Sequence, residues 1–115
     1  MMNQEDFISA IYRKIVNDNL RMYQNEIFTP EAFQDSPDIN WQKKLSLIRS
    51  FDKDQREVFF QILRHVIVDT LSGVFAILDG VTMLRGQEGD FQLFLEGKEI
   101  SGDLQDLFLE MEENI

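Results

Sequence analysis

The sequence predicts an α+β domain: helices packed around one long central helix, followed by a small antiparallel β-meander and a C-terminal helix. Three observations predict it. Residues 52–80, DKDQREVFFQILRHVIVDTLSGVFAILDG, read as one helix that is apolar over most of its circumference, and such a helix has to be enclosed by other elements. After Gly80 the apolar periodicity changes from helical to alternating. At Leu104, Leu107, Phe108 and Met111 helical spacing returns. The 115 residues make a single domain, with a helical part over 3–80 and the meander plus last helix over 81–115.

Residues 3 to about 25 form the first helix, with Asn3 as N-cap and Asp6 in the first turn. Phe7, Ile8, Ile11, Tyr12, Ile15, Val16, Met22 and Tyr23 make its apolar face. Thr29-Pro30 and Ser36-Pro37-Asp38 are helix-start signals. The second opens a short helix from about 38 to 50, buried through Trp41, Leu45 and Ile48. Phe28, Phe33 and Trp41 either plug the core or ride on a lid over a cleft, and core filling is the simpler reading.

On the central helix Asp52 and Gln55 form a capping box, and Gly80 supplies the left-handed residue that closes the helix. Phe59, Phe60, Leu63, Val66, Ile67, Val68, Leu71, Val74 and Phe75 belong to an apolar arc of roughly 200°. Arg64 lies in that arc and is expected to lift its guanidinium to water along its own stem. Opposite runs a polar stripe of Asp54, Gln61, His65, Asp69 and Ser72, continued by Ala76. Gln61, His65, Asp69 and Ser72 are the candidate ligand-binding residues. His65, the only histidine, stands four residues from Asp69 and is its neighbour on the helix surface. The functional reading is a small-molecule or acid–base site; the structural reading is a solvated stripe or a mutually satisfied pair, and the latter is the commoner outcome. Ser72, Gly73 and Ala76 are small enough to let another backbone approach.

Val81–Arg85, Phe91–Leu95 and Lys98–Ser101 are the candidate strands of a two- or three-stranded meander, with Glu96-Gly97 as a tight turn. Asp103 is the expected N-cap of the last helix, 104 to about 112. The closing block GDFQLFLEGKEISGDLQDLFLEM, residues 89–111, resembles the tail of small, acidic bacterial proteins whose functional residues are unknown. The resemblance implies a bacterial protein, of a type in which some members act as immunity or antitoxin partners.

Charge and composition narrow the function classes. Residues 1–85 hold 12 acids and 10 bases, whereas residues 86–115 hold 9 acids and one base, Lys98. Phosphate recognition needs clustered Lys and Arg, so nucleic acid is not an expected partner. A basic protein is, and Asp103, Asp106, Glu110, Glu112 and Glu113 are the candidate partner-binding residues. There is no cysteine, which removes disulfides and thiolate chemistry and suits a reducing, cytoplasmic setting. MMNQEDF does not read as a secretory leader. No uninterrupted apolar stretch reaches the roughly 20 residues of a membrane span, so no membrane is expected. Nor is a metal or cofactor: Glu57 and Leu63 stand where a calcium loop begun at Asp52 needs Gly and Glu, and Gly86 and Gly89 precede no helix closely enough to cradle phosphate. No nucleophile constellation is present. The expectation is a non-enzymatic protein-interaction module, with the Gln61–Ser72 stripe as the alternative and a homodimer through leftover apolar surface as a further possibility.

Overall fold

The computed structural model describes residues 2–28 and 38–114, and the fold is α+β, as the sequence predicts. The Thr29-Pro30 and Ser36-Pro37 starts lie outside the described residues, as does Phe33 and with it the lid reading.

Helix α1 (Gln4–Ile11) starts at Asn3, whose side chain accepts from the Asp6 amide at 2.8 Å while the Asp6 carboxylate accepts from the Asn3 amide at 3.2 Å. The chain then widens into a π-helix over Tyr12–Asp18 before α2 (Asn19–Phe28). Burial explains what this widening does. Ile8, Tyr12, Val16 and Leu20 are all buried and stand four residues apart. In an unbroken α-helix each step of four overshoots a turn by about 40°, which carries such a row roughly 120° off the core. The wider π turns unwind the rod and keep the row inward. An uninterrupted α-helical face would have ended in Met22 and Tyr23; these are 43% and 40% exposed, and Leu20 and Ile27 are buried instead.

Helix α3 (Ile39–Arg49) is capped by Asp38, which accepts from the Asn40 amide at 2.9 Å. It buries Leu45 and Ile48. Arg49 Nε donates to the Ile27 carbonyl at 2.9 Å, placing a cation at the negative end of α2.

Helix α4 (Lys53–Leu78) is an unbroken rod about 39 Å long. The Asp52–Gln55 capping box is present, with bonds of 2.8 and 2.9 Å. At the far end Gly80 takes a φ of 80°. The Val81 amide reaches the Ala76 carbonyl at 2.9 Å and the Gly80 amide reaches Ile77 at 3.2 Å, the two bonds of a Schellman motif.

The expected enclosure of this rod is only half realised. Its buried edge runs through Phe60, Val68, Ser72, Phe75 and Ala76, while Val58, Ile62, Val66 and Val74 are 53%, 56%, 54% and 46% exposed. Ser72 and Ala76, assigned by the wheel to the polar side, are thus in the core. The cause is the docking of α5 (Leu104–Glu113) along α4: small side chains let it approach, and Gln105 Nε2 donates to Ser72 Oγ at 3.1 Å. By length and composition alone α4 is also apolar enough to cross a membrane, its most apolar 18-residue window having a mean hydropathy of 1.4. The charges at Arg64, Asp69 and the N-terminal turns interrupt this apolar run, so no uninterrupted stretch of span length exists in it. In the fold its buried edge is the wall on which the π-helix, α2 and α5 pack.

Between Val81 and Leu93 there is no strand. The predicted Val81–Arg85 strand fails because the Val81 and Thr82 amides are both taken by the Ala76 carbonyl in closing α4. The sheet is a two-stranded hairpin, β1 (Phe94–Leu95) antiparallel to β2 (Lys98–Glu99). Glu96 and Gly97 both have positive φ, 52° and 83°, as a type I′ turn requires. The Ile100 amide to Leu93 at 2.8 Å and the Leu93 amide to Ser101 Oγ at 3.0 Å extend the pairing.

The N-terminus of α5 is capped differently from the sequence expectation. The Asp103 side chain makes no capping bond. Asp79, at the end of α4, accepts from the Gly102 and Gln105 amides at 2.7 and 2.8 Å. The residue at the end of one helix therefore caps the start of another with its carboxylate. Asp79→Ala is expected to cost about 1–2 kcal/mol and Asp103→Ala close to nothing; urea unfolding midpoints of the two variants check this.

Candidate functional site

The described polar groups offer three candidates, and the first was not visible in the sequence. Arg64 does not reach for solvent; its guanidinium turns inward. Nε and Nη2 grip the Glu112 carboxylate side-on at 3.3 and 3.2 Å, and Nη1 donates to Asn17 Oδ1 at 3.4 Å. Nη2 also donates to the Tyr12 hydroxyl, which in turn donates to Glu112 Oε2. Three segments of the chain are thereby tied at one point: the π-helix, α4 and the end of α5. The π turn makes this possible. In an α-helix residues 12 and 17 would sit about 140° apart, whereas π winding returns i and i+5 to one side, and both meet Arg64.

Tyr12 is buried, and its hydroxyl pKa is pushed from 10.0 to about 12, first by desolvation and then by its bond to Glu112. Folding thus favours the protonated phenol. A proton held more tightly when folded adds stability that is whole below pH 10 and is lost as the pH climbs towards 12. Tyr12→Phe is expected to flatten the fall in stability across that window, read as denaturant midpoints from pH 8.5 to 11.5. The cluster is partly buried, with Arg64 and Glu112 side chains 26% and 32% exposed, and all its groups bond one another. Its chemistry is that of a fastener. A tyrosine and an acid-rich last helix flanking an arginine in an apolar arc were the only signals of it.

The second candidate is the Gln61, His65, Asp69 and Ser72 stripe. His65 Nε2 and Asp69 Oδ2 are 3.3 Å apart, with side chains 76% and 70% exposed. Ser72 is buried against Gln105. Gln61 lines an open groove of about 500 Å³ between α2 and α4, with Gln24, Lys53, Arg56 and Arg64 over Leu20 and Phe60. The four side chains therefore occupy three different surroundings.

The third candidate is the acidic set on α5. Glu112 is bound by Arg64 and Tyr12, so it belongs to the interior fastening. Asp103, Asp106, Glu110 and Glu113 are exposed. Their spacing of three, four and three puts them in one row opposite the buried Leu104 and Phe108. None of the four forms an ion pair with a described lysine or arginine. Beside the row, between α1 and α5, lies a crevice of about 260 Å³ lined by Glu5, Ile8, Leu107, Glu110 and Met111. Among the described residues no group of three His, Asp or Glu is placed to hold a metal ion.

Comparison with known proteins finds no family model, no curated protein and no solved structure that matches this chain.

Proposed function

We propose that the protein is a non-enzymatic, cytoplasmic protein-interaction module that recognises a basic partner through α5. An immunity- or inhibitor-like role is the sharpest form of this reading. The observation that carries it is the row Asp103, Asp106, Glu110 and Glu113 on a helix held firmly at both ends, by Asp79 and by Arg64. Such a row presents charge without the entropy cost of ordering a loop. The neighbouring crevice adds a shape. Ile8, Leu107 and Met111 suit the aliphatic stem of a lysine or arginine, and Glu5 and Glu110 suit its head.

The test is capture from a lysate of the source cell over a salt series, comparing the native protein with Asp106→Lys/Glu110→Lys. A specific partner that is lost steeply as salt rises, and is not captured by the double variant, is the expected result. Equal capture by the two proteins, or retention indifferent to salt, would remove the reading.

A further inference from the structure

We infer that the cleft between α2, α3 and α4 binds a small organic monoanion, a carboxylate on an aromatic or branched aliphatic body. No residue of α5 lines this cleft, so the claim is separate from the acidic row. Shape argues first. The cleft holds about 300 Å³, at the lower end of the usual range for ligand pockets. That is about twice the room a benzene ring takes in an apolar cavity. Buried Ile27 and Ile48 make its floor, and half-buried Trp41, Phe59 and Leu63 its walls.

The lining argues second. Only apolar atoms face the cleft, so a water there lacks the polar partners that hold one in place. An apolar body that displaces such water completes the burial of Trp41, Phe59 and Leu63, which the fold itself leaves partial. A body of about twelve non-hydrogen atoms, such as a phenyl ring on a short acid chain, fills the space.

Charge selects the head group. Of the described side chains that line the cleft, Lys44 alone is charged. Its stem lies along the wall while its exposed ammonium stays in water at the mouth. It forms no ion pair among the described residues. Helix α3 carries Lys43, Lys44 and Arg49 and no acid, in a chain of net charge −10. A single negative charge is therefore drawn to this mouth, whereas a multiply charged anion meets the repulsion of the whole molecule. Tyr23 of α2, 40% exposed, contributes a phenolic donor on the other side.

The test titrates the full chain with phenylbutyrate, phenylbutanol and phenylbutylamine at about 0.15 M salt, where long-range charge is largely screened. Trp41, the only tryptophan, reports binding by a blue-shifted and saturable change in emission. The expected result is one site per chain, half-filled below about 1 mM. The acid should bind about fivefold tighter than the alcohol, the effect of one exposed charge pair, and the amine weakest of the three. Lys44→Glu, at an exposed position, should keep the helical circular dichroism and reverse the order of acid and amine. Lys43→Glu, its neighbour on α3 outside the cleft, should leave that order as it is. Emission that does not saturate overturns the proposal, as does equal binding of acid and amine. So does an order that Lys44→Glu fails to reverse, or that Lys43→Glu reverses equally. Flotation with phosphatidylcholine vesicles when no free ligand saturates also overturns it, and assigns the cleft to lipid. Asp106→Lys/Glu110→Lys should bind phenylbutyrate like the native chain, so this reading and capture of a basic partner by α5 fail separately.

Discussion

Phe108→Ala is expected to lower unfolding free energy by about 3–5 kcal/mol, the range for deleting a fully buried aromatic ring. Phe108 is 0% exposed. Its ring lies 5.6 Å from that of Tyr12 and 5.3 Å from that of Phe75, so one side chain joins the π-helix, α4 and α5. A cavity there has no neighbour free to fill it, because Tyr12 is held by Arg64 and Glu112 and Phe75 by the α4 backbone. Small domains hold only about 5–15 kcal/mol in all, so the variant should be partly unfolded at moderate denaturant. The control is Phe94→Ala, at a ring that is 55% exposed on the hairpin, where the change should stay within about 0.5 kcal/mol. Urea unfolding of both variants, followed by circular dichroism, makes the comparison. Equal midpoints would mean that the three-element junction is not the centre of the fold.

What the sequence made legible was whatever depends on one local pattern. The α4 rod could be read from its capping box and from Gly80, because both signals sit within four residues of the helix ends they control. The Glu96-Gly97 turn was legible for the same reason. The misplacements all arise from long-range choices. A wheel averages the chain into one apolar arc, but which part of that arc is covered depends on where α5 docks, and α5 chose the small residues Ser72 and Ala76 over Val66 and Val74. Asp103 was the natural local cap for α5; Asp79, 26 residues away from the Gln105 amide it accepts, won because closing α4 aims its carboxylate there. The π-helix leaves one trace in the sequence, the four-residue spacing of Ile8, Tyr12, Val16 and Leu20. That trace has meaning only once all four are known to be buried.

The candidate site was legible by the same rule. His65 and Asp69 were correctly read as neighbours, since i,i+4 geometry is local. That they stand in open solvent followed from packing and could not be read. The exposed row on α5 needed only helical spacing, and four of its five predicted members are found there. Glu112, four residues after the buried Phe108, is turned from that row by helical spacing itself; its partner Arg64, 48 residues earlier, is what only the tertiary fold reports.

Arg64→Ala is expected to cost about 2–3 kcal/mol, the second largest effect. Removing one partner of a wholly buried pair costs roughly 3–5 kcal/mol, because the other charge is left without compensation. Here both side chains keep about a quarter to a third of their exposure, so water reaches the orphaned carboxylate and the loss shrinks. Arg64→Lys should recover only part of it, since an ammonium cannot reproduce the side-on grip on Glu112 together with the bonds to Asn17 and Tyr12. A double-mutant cycle of Arg64→Ala with Glu112→Ala isolates the pair, with an expected coupling of about 1–2 kcal/mol. The same cycle on His65 and Asp69 serves as the reference, because an exposed i,i+4 pair contributes only about 0.3–0.5 kcal/mol and fades with salt. If the two cycles return equal couplings, Arg64 and Glu112 are an ordinary surface pair, and α5 owes its rigid placement to Asp79 and its apolar seam alone.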